Sequence, residues 1–335
     1  MGEQYDKGDY DMLKTWNNVT RTSCEEKMMD TRTPFVFLTS QSYSGSTLLA
    51  FLLGAHPEIA TVGEMVGLLP RANSDEFLCS CGQKIKECEF WHAIASVMET
   101  KGFQFEVANF NTRFELGSHP LIRRLRAGSL RSNTLEAIRD AIFWAWPGQT
   151  YQLSKIAARN KALAEAVLDV TGKRVFLDTS KNHMRIKYLL RYSDLDMLVI
   201  HLVRDVRGVV TSYLSHHRGA TAQRAAQSWV NRNRNIQRQL RAVPDNKQIR
   251  VRYEDLCQNT QDTLECLYRF CEVEPGVVVT DFRSVPHHIV GNTRMRLSSA
   301  SEIKFDERWK RVLTEDQLKE IDRVAGAMHR QYGYE

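Results

Sequence analysis

Long apolar runs are the first thing this 335-residue chain lacks. No stretch approaches the roughly 20 residues of a membrane-spanning helix. The opening residues, MGEQYDKGDYDMLKTWNNVTRTSCEEKMMD, contain no apolar h-region, so no signal peptide is expected there. Met1-Gly2 is followed by Tyr5-Asp6 and not by Ser or Thr at the sixth position, which speaks against N-myristoylation. Residues 1–32 are read as a polar lead-in to a single domain over 33–335. Repeats and low-complexity tracts are also missing. Cysteine is sparse, with seven residues and no secretion signal, which implies reduced thiols and a cytoplasmic setting. Charge of one sign does not dominate: 46 Lys and Arg against 40 Asp and Glu leave +6. That is too mild for a dedicated nucleic-acid binder and suits an anionic ligand at least as well. What remains is 42% hydrophobic and 26% charged, enough for a sizeable core.

Within that domain, short apolar runs alternate with helical patterns. Phe35–Thr39, the run in AHPEIATV, RVFLDTS at 174–180, DMLVIHLVRD at 196–205 and KQIRVRYEDL read as strands. Helices are expected over Thr47–Ala55, through MRIKYLLRY, over Val206–His216, from Ala222 to about Ala242, and through much of the chain to Tyr332. Strands alternating with helices predict a P-loop-type three-layer α/β fold, a central and mainly parallel sheet flanked by helices. Residues 66–150 are the least regular. They are read as a mostly helical insertion over the carboxyl edge of the sheet, where such folds bind ligands.

One absence carries the functional argument. FVFLTSQSYSGSTLL runs a strand into a glycine-serine turn and a helix, but Ser46 stands where a Walker loop has Lys. A strand-to-helix turn exposes backbone N–H groups at a helix N-terminus, which is an anion site. Gly45 lets an anion approach closely, and Ser44, Ser46 and Thr47 add hydroxyls. Without the lysine that serves a γ-phosphate, a shorter anion than a triphosphate is expected. The bland alternative is a capped helix. A second strand-to-helix loop, LVRDVRGVVTSYL, places Arg204 at a strand end and Ser212 two turns into a helix, fit to grip one more phosphate. Its bland alternative is an ion pair between Arg204 and Asp205 or a neighbour.

These two loops resemble those of the sulfotransferases that use 3′-phosphoadenosine 5′-phosphosulfate (PAPS). YSGSTLL is similar to the family's 5′-phosphosulfate loop and RDVRGVVTS to its 3′-phosphate motif. GAHPEIATVGE, LDTSKNHMRIKYLL, VRYEDL and GNTRMR follow in the family's order. The likeness runs from Phe35 to about Tyr334, is weakest over 95–150, and is nearest to bacterial-type and Golgi glycan and tyrosyl sulfotransferases, some with a CxCG…C segment. The resemblance implies PAPS as co-substrate and in-line attack of an acceptor hydroxyl on sulfur, with no metal required. It assigns the donor to Tyr43, Ser44, Gly45, Ser46, Thr47, Leu48, Arg204, Ser212, Tyr253, Asn292, Arg294 and Arg296. Glu64 matches the family's catalytic base. Lys181 matches the lysine that meets the bridging oxygen and the sulfonate, with Ser180 assisting. Where the family often has Arg or Lys before the Ser-Gly, this chain has Tyr43, which brings no charge, so Lys181 is expected to supply the missing cation.

Other residues carry open readings. Trp229 suits either adenine stacking or the core. Asp255 is read as the N-cap of a helix. His183, His287 and His288 suit the acceptor cleft or plain polar packing. CSCGQKIKECEFWH places Cys79, Cys81, Cys88 and His92 together; zinc, a disulfide and a packed turn are all open, the turn being the plainest. Two rival functions stand beside the transferase. A kinase or ATPase with a degenerate loop would need acidic metal ligands such as Asp178. A binder of nucleic acid or another anionic polymer would use the basic helix QRAAQSWVNRNRNIQRQLR, but its charges spread around the helix without an aromatic stripe, so no nucleic-acid partner is expected. The same machinery serves a glycan, a phenol or a small alcohol, which leaves the acceptor open, as is the oligomeric state.

Overall fold

The computed structural model describes residues 32–66, 76–115, 119–130, 132–290, 293–297 and 301–335, without the side chains of Thr293 and Arg294. Residues Thr33–Glu335 form one compact unit. In chain order the elements are β1 (Pro34–Ser40), α1 (Ser46–Gly54), β2 (Ile59–Gly63), α2 (Glu89–Thr100), α3 (Pro120–Ala127), α4 (Asn133–Ala145), α5 (Pro147–Thr171), β3 (Val175–Asp178), α6 (Met184–Tyr192), β4 (Asp196–Val203) and α7 (Val206–His216). They continue with α8 (Ala222–Leu240), β5 (Gln248–Arg252), α9 (Tyr253–Gln258), α10 (Thr260–Phe270), α11 (Thr293–Arg296), α12 (Trp309–Val312) and α13 (Glu315–Gln331).

The five strands form one sheet in the order β2-β3-β1-β4-β5, and every pairing is parallel. Parallel strands buried on both faces need apolar residues on both sides. β1 supplies them by alternation. Phe35 and Phe37 enter a cluster with Trp91, Leu163 and Val199, while Val36 and Leu38 enter another with Leu49, Leu52, Leu264 and Tyr268. A third cluster joins α7, α8 and α13 through Val210, Trp229 and Ile321. The parallel α/β architecture follows the sequence reading. Asp255 does not: β5 runs directly into α9, so Arg252 occupies the cap and Asp255 sits within the first helical turn. After α10 the chain is irregular as far as Val290, where the sequence reading expected helix. Among the described residues no helix is long and apolar enough to cross a membrane.

All five carboxyl ends lie at one edge of the sheet. That edge therefore gathers Glu64 after β2, Ser180 and Lys181 after β3, Ser42–Gly45 after β1, Arg204 after β4 and Tyr253 after β5.

Candidate active site

β1 ends in a turn that leaves α1 open. Gly45 precedes α1 with φ +88, and among the described residues no side chain caps the helix. The first-turn amides of Ser46, Thr47 and Leu48 have no intrahelical acceptor. The Ser44 hydroxyl is buried and has no partner among the described residues. Leu48 packs its side chain into the core, so its backbone amide is what it offers the turn. A Cβ on Gly45 would lie 2.4 Å from Cδ2 of Tyr253. Glycine is required twice here, for its left-handed backbone and for the ring against it. Tyr253 in turn donates from its hydroxyl to the Lys304 carbonyl at 3.1 Å, and burial raises its pKa above the ordinary phenol value.

Arg204 closes this corner. Its guanidinium donates to the Tyr43 carbonyl (2.9 Å), lies over the Tyr253 ring (4.4 Å to the centroid) and pairs with Asp306 (3.0 Å). Asp205 is not its partner; that carboxylate caps α7 and binds Arg207 and His329. Hydrogen bonds from Arg308, helped by Arg204, hold the Asp306 carboxyl well below its usual pKa. Ser212 is buried in the second turn of α7. Trp229 is wholly buried and donates its indole N–H to the Arg204 carbonyl at 3.1 Å, so it belongs to the core and cannot stack on a nucleotide.

Two ion pairs occupy the ends of β2 and β3. Lys181 Nζ donates to Glu64 Oε1 at 2.5 Å, and both side chains are about a quarter exposed (23% and 29%). Lys181 has φ +56, an uncommon conformation for a residue with a Cβ. The Thr39 hydroxyl binds its carbonyl (3.2 Å) and ties it to the end of β1. Asp178 and Arg185, by contrast, are fully buried and paired at 2.7 Å. Asp178 also accepts from the backbone of Ser180 (2.9 Å) and of Met65 (3.3 Å) and from the Ser180 hydroxyl. The Ser180 hydroxyl accepts from Val66 N, which commits it to structure.

A cleft of about 890 Å³ opens beside Tyr43. One wall is the polar face of α8, including Arg224, Asn231 and Arg232, whose opposite face carries buried Ala226, Trp229, Asn233 and Ile236. His183 reaches it, accepting from Arg232 (2.9 Å) and bonding to the Ser129 hydroxyl (2.9 Å). Burial, with the Arg232 and Arg238 charges, lowers its pKa to about 3, so its ring is neutral. Tyr43 bonds through its hydroxyl to His217 at 3.0 Å.

The remaining predicted residues stand apart. Arg296 is buried, donates to the Leu78 carbonyl and covers the Phe77 ring at 3.9 Å. Asn292 and the side chain of Arg294 lie outside the described residues. His287 is buried against the Phe282 carbonyl (2.6 Å). His92 bonds to the Lys86 carbonyl (2.6 Å), and His288 takes the place expected for it beside the cysteines. Sequence reasoning missed Arg185, Asp306, Ser129 and Arg232. Arg185 had a signal: an acid ending an apolar strand needs a buried cation, and the following helix offers one seven residues on. Asp306 and Ser129 had none, being brought in from 102 and 54 residues away.

Comparison with known proteins bears on the family and the fold. The model of the sulfotransferase family matches residues 104–275, just over half of the chain. The sulfotransferase domain from the curacin biosynthetic pathway superposes with TM-score 0.50 at 19% identity, covering 91% of this chain and 99% of its own. The sulfotransferase domain of the olefin synthase of Synechococcus PCC 7002 gives 0.50 at 17%, covering 88% and 95%. At such identities these two establish the shared fold. No curated protein matches the chain.

Proposed function

Because the chain belongs to the sulfotransferase family, we propose that it moves the sulfuryl group of PAPS to an acceptor hydroxyl by in-line displacement, releasing adenosine 3′,5′-bisphosphate. The observation that carries the donor assignment is the uncapped start of α1, where the buried Ser44 hydroxyl has no partner among the described residues. Buried polar groups are normally satisfied, and a 5′-phosphosulfate supplies the missing acceptors. The amides of Ser44–Leu48 hold that group. Arg204 and Ser212 take the 3′-phosphate, with Tyr253 beside the nucleotide. Arg204 reaches the phosphate by exchanging Asp306 for it.

The chemistry falls to Glu64 and Lys181. Glu64 accepts the proton of the attacking hydroxyl. Lys181 leaves Glu64 to meet the charge that grows on the sulfonate and the bridging oxygen. The salt bridge between them keeps base and electrophilic cation at one point before the acceptor arrives. The strained backbone of Lys181 supports this role, since such strain persists where surrounding structure enforces it. The acceptor enters by the α8 cleft, whose wall of hydroxyls, amides and arginines suits a polar alcohol such as a glycan. The domain extends over 33–335, and the setting is cytoplasmic.

Asp178 has no valence left for magnesium, because Arg185, Ser180 and Met65 consume both oxygens, and this disfavours a kinase. The test is thermal unfolding with adenosine 3′,5′-bisphosphate and with ATP, followed by incubation of labelled PAPS with glycans, phenols and aliphatic alcohols. A ligand that binds only the folded state raises the melting temperature. Stabilisation by the bisphosphate and label transfer are expected. Stabilisation by ATP alone would overturn the assignment.

A further inference from the structure

Three sulfurs and one imidazole nitrogen converge about the 78–88 loop. Cys79 Sγ lies 3.5 Å and Cys88 Sγ 3.4 Å from Nδ1 of His288, and the Cys81 and Cys88 sulfurs are 3.7 Å apart. All four ligand atoms fall within 4.8 Å of one another. A tetrahedron with Zn–S of about 2.3 Å and Zn–N of about 2.0–2.1 Å has edges of about 3.8 Å between sulfurs and about 3.5 Å from sulfur to nitrogen. The three separations from Cys79 and Cys88 to His288 and from Cys81 to Cys88 have those lengths. A disulfide would bring two sulfurs to about 2.05 Å, and these three cysteines are free.

We infer that Cys79, Cys81, Cys88 and His288 form a structural zinc site that fastens the 287–290 strap to the 78–88 loop. The backbone is arranged for it. Leu78 and Lys84 pair as an antiparallel bridge around a turn in which Gly82 has φ +91. This tight hairpin turns the two cysteines of Cys79-x-Cys81 toward one point. Cys88 arrives at the N-cap of α2. The strap is locked in register from both sides of its ligand, since the Ser80 hydroxyl donates to the His287 carbonyl (2.5 Å) and accepts from Ile289 N (2.8 Å). The Phe90 ring stacks on His288 at 4.1 Å and 9°, fixing the plane of the imidazole. Outer contacts of this kind orient metal ligands. Three thiolates, a neutral imidazole and Zn²⁺ carry one negative charge together. Buried Arg296, hydrogen-bonded to the Leu78 carbonyl, is the neighbouring cation. This gives Arg296 a structural task at the loop.

Thiolate with imidazole selects zinc among the common divalent ions, and four protein ligands leave no open position for catalysis. The strap continues to Val290, which donates to the Val62 carbonyl (2.7 Å) and accepts from the amide of Glu64 (3.2 Å). The metal therefore steadies the backbone of Glu64, and its assignment does not depend on what Glu64 does.

The test uses the full chain purified without added chelator. Metal analysis should find about one zinc per chain, and cobalt exchange should give the visible absorption of a tetrahedral thiolate site. Cys81→Ser and His288→Ala should lose the zinc, while His92→Ala keeps it. A strong chelator should lower the melting temperature of the parent by about 10 °C. If the variants do not fold, parent zinc content, cobalt spectrum and thiol mapping still decide. Zinc below about a tenth of an equivalent in folded parent protein, a Cys81–Cys88 disulfide in the mapped peptides, or zinc lost from His92→Ala would overturn the inference.

Discussion

Two acid–base pairs stand at the ends of adjacent strands and differ in almost every physical respect. Asp178–Arg185, at the end of β3, is shut away from water with each carboxylate oxygen multiply bonded. Glu64–Lys181, beginning just past β2, is about a quarter exposed, and among the described residues neither side chain makes another hydrogen bond. A sealed, saturated pair holds backbone in place: through Ser180 and Met65 it shapes both loops that carry Lys181 and Glu64. An open, unsaturated pair can exchange partners. Arg204–Asp306 lies between these extremes, its arginine buried and its acid reachable.

The largest expected effect comes from breaking the sealed pair. Asp178→Ala leaves Arg185 as an uncompensated buried charge, which costs about 3–5 kcal/mol. Urea unfolding should show that loss, with the slope of the transition unchanged. A loss below about 1 kcal/mol would mean that water reaches Arg185 and that the pair is not sealed.

Glu64→Gln should do the opposite: little change in stability, since an ion pair that water reaches is worth at most about 1 kcal/mol, but a fall in kcat of about 10²-fold or more. Turnover at saturating PAPS, measured beside bisphosphate affinity by calorimetry, separates the two. Affinity should hold, because the base matters in the transition state. Near-normal turnover would move the base elsewhere. His183 is a poor substitute, because Arg232 already occupies its Nδ1.

The contrast between the pairs also marks what a sequence can reveal. β1, β3 and β4 were legible because an apolar run buried on both faces leaves little choice of element, and parallel order then places every strand end at one edge. The placement of Glu64, Lys181 and Arg204 at that edge was legible because they follow the ends of β2, β3 and β4. Partners brought together by tertiary structure were not. Nothing near Arg204 announces Asp306, and nothing near Cys79 announces His288, 209 residues away. Trp229 was ambiguous because helical spacing gives its position along α8 but not which face is buried, and packing decided for the core.

Arg204→Ala comes next in size. Losing a charged hydrogen bond to phosphate should weaken bisphosphate binding by about 1.5–3 kcal/mol. Turnover at saturating PAPS should fall much less, since this contact serves ground state and transition state alike. The variant also removes the guanidinium from the Tyr253 ring, so Tyr253→Phe is the companion: it keeps the ring against Gly45 and should bind nearly as the parent does. Equal loss in both would place the effect in the tie from the Tyr253 hydroxyl to the Lys304 carbonyl and not in the charge of Arg204.

The smallest effect tests the intermediate pair. If Asp306 holds the place of an incoming phosphate on Arg204, the donor must displace it, and part of the phosphate's attraction is spent in doing so. Asp306→Asn keeps the size of the side chain and removes the competing charge. Arg204 stays oriented by the Tyr43 carbonyl and the Tyr253 ring, which do not depend on Asp306. Bisphosphate affinity should therefore rise about 3- to 10-fold, in line with the roughly 1 kcal/mol of a partly exposed ion pair. The gain should shrink at high salt, where screening already weakens the competitor. Calorimetry at two ionic strengths reads both. Weaker binding in Asp306→Asn would mean that the carboxylate aims Arg204 at the phosphate and is kept when the donor binds, and Arg204–Asp306 would then belong with the sealed pair.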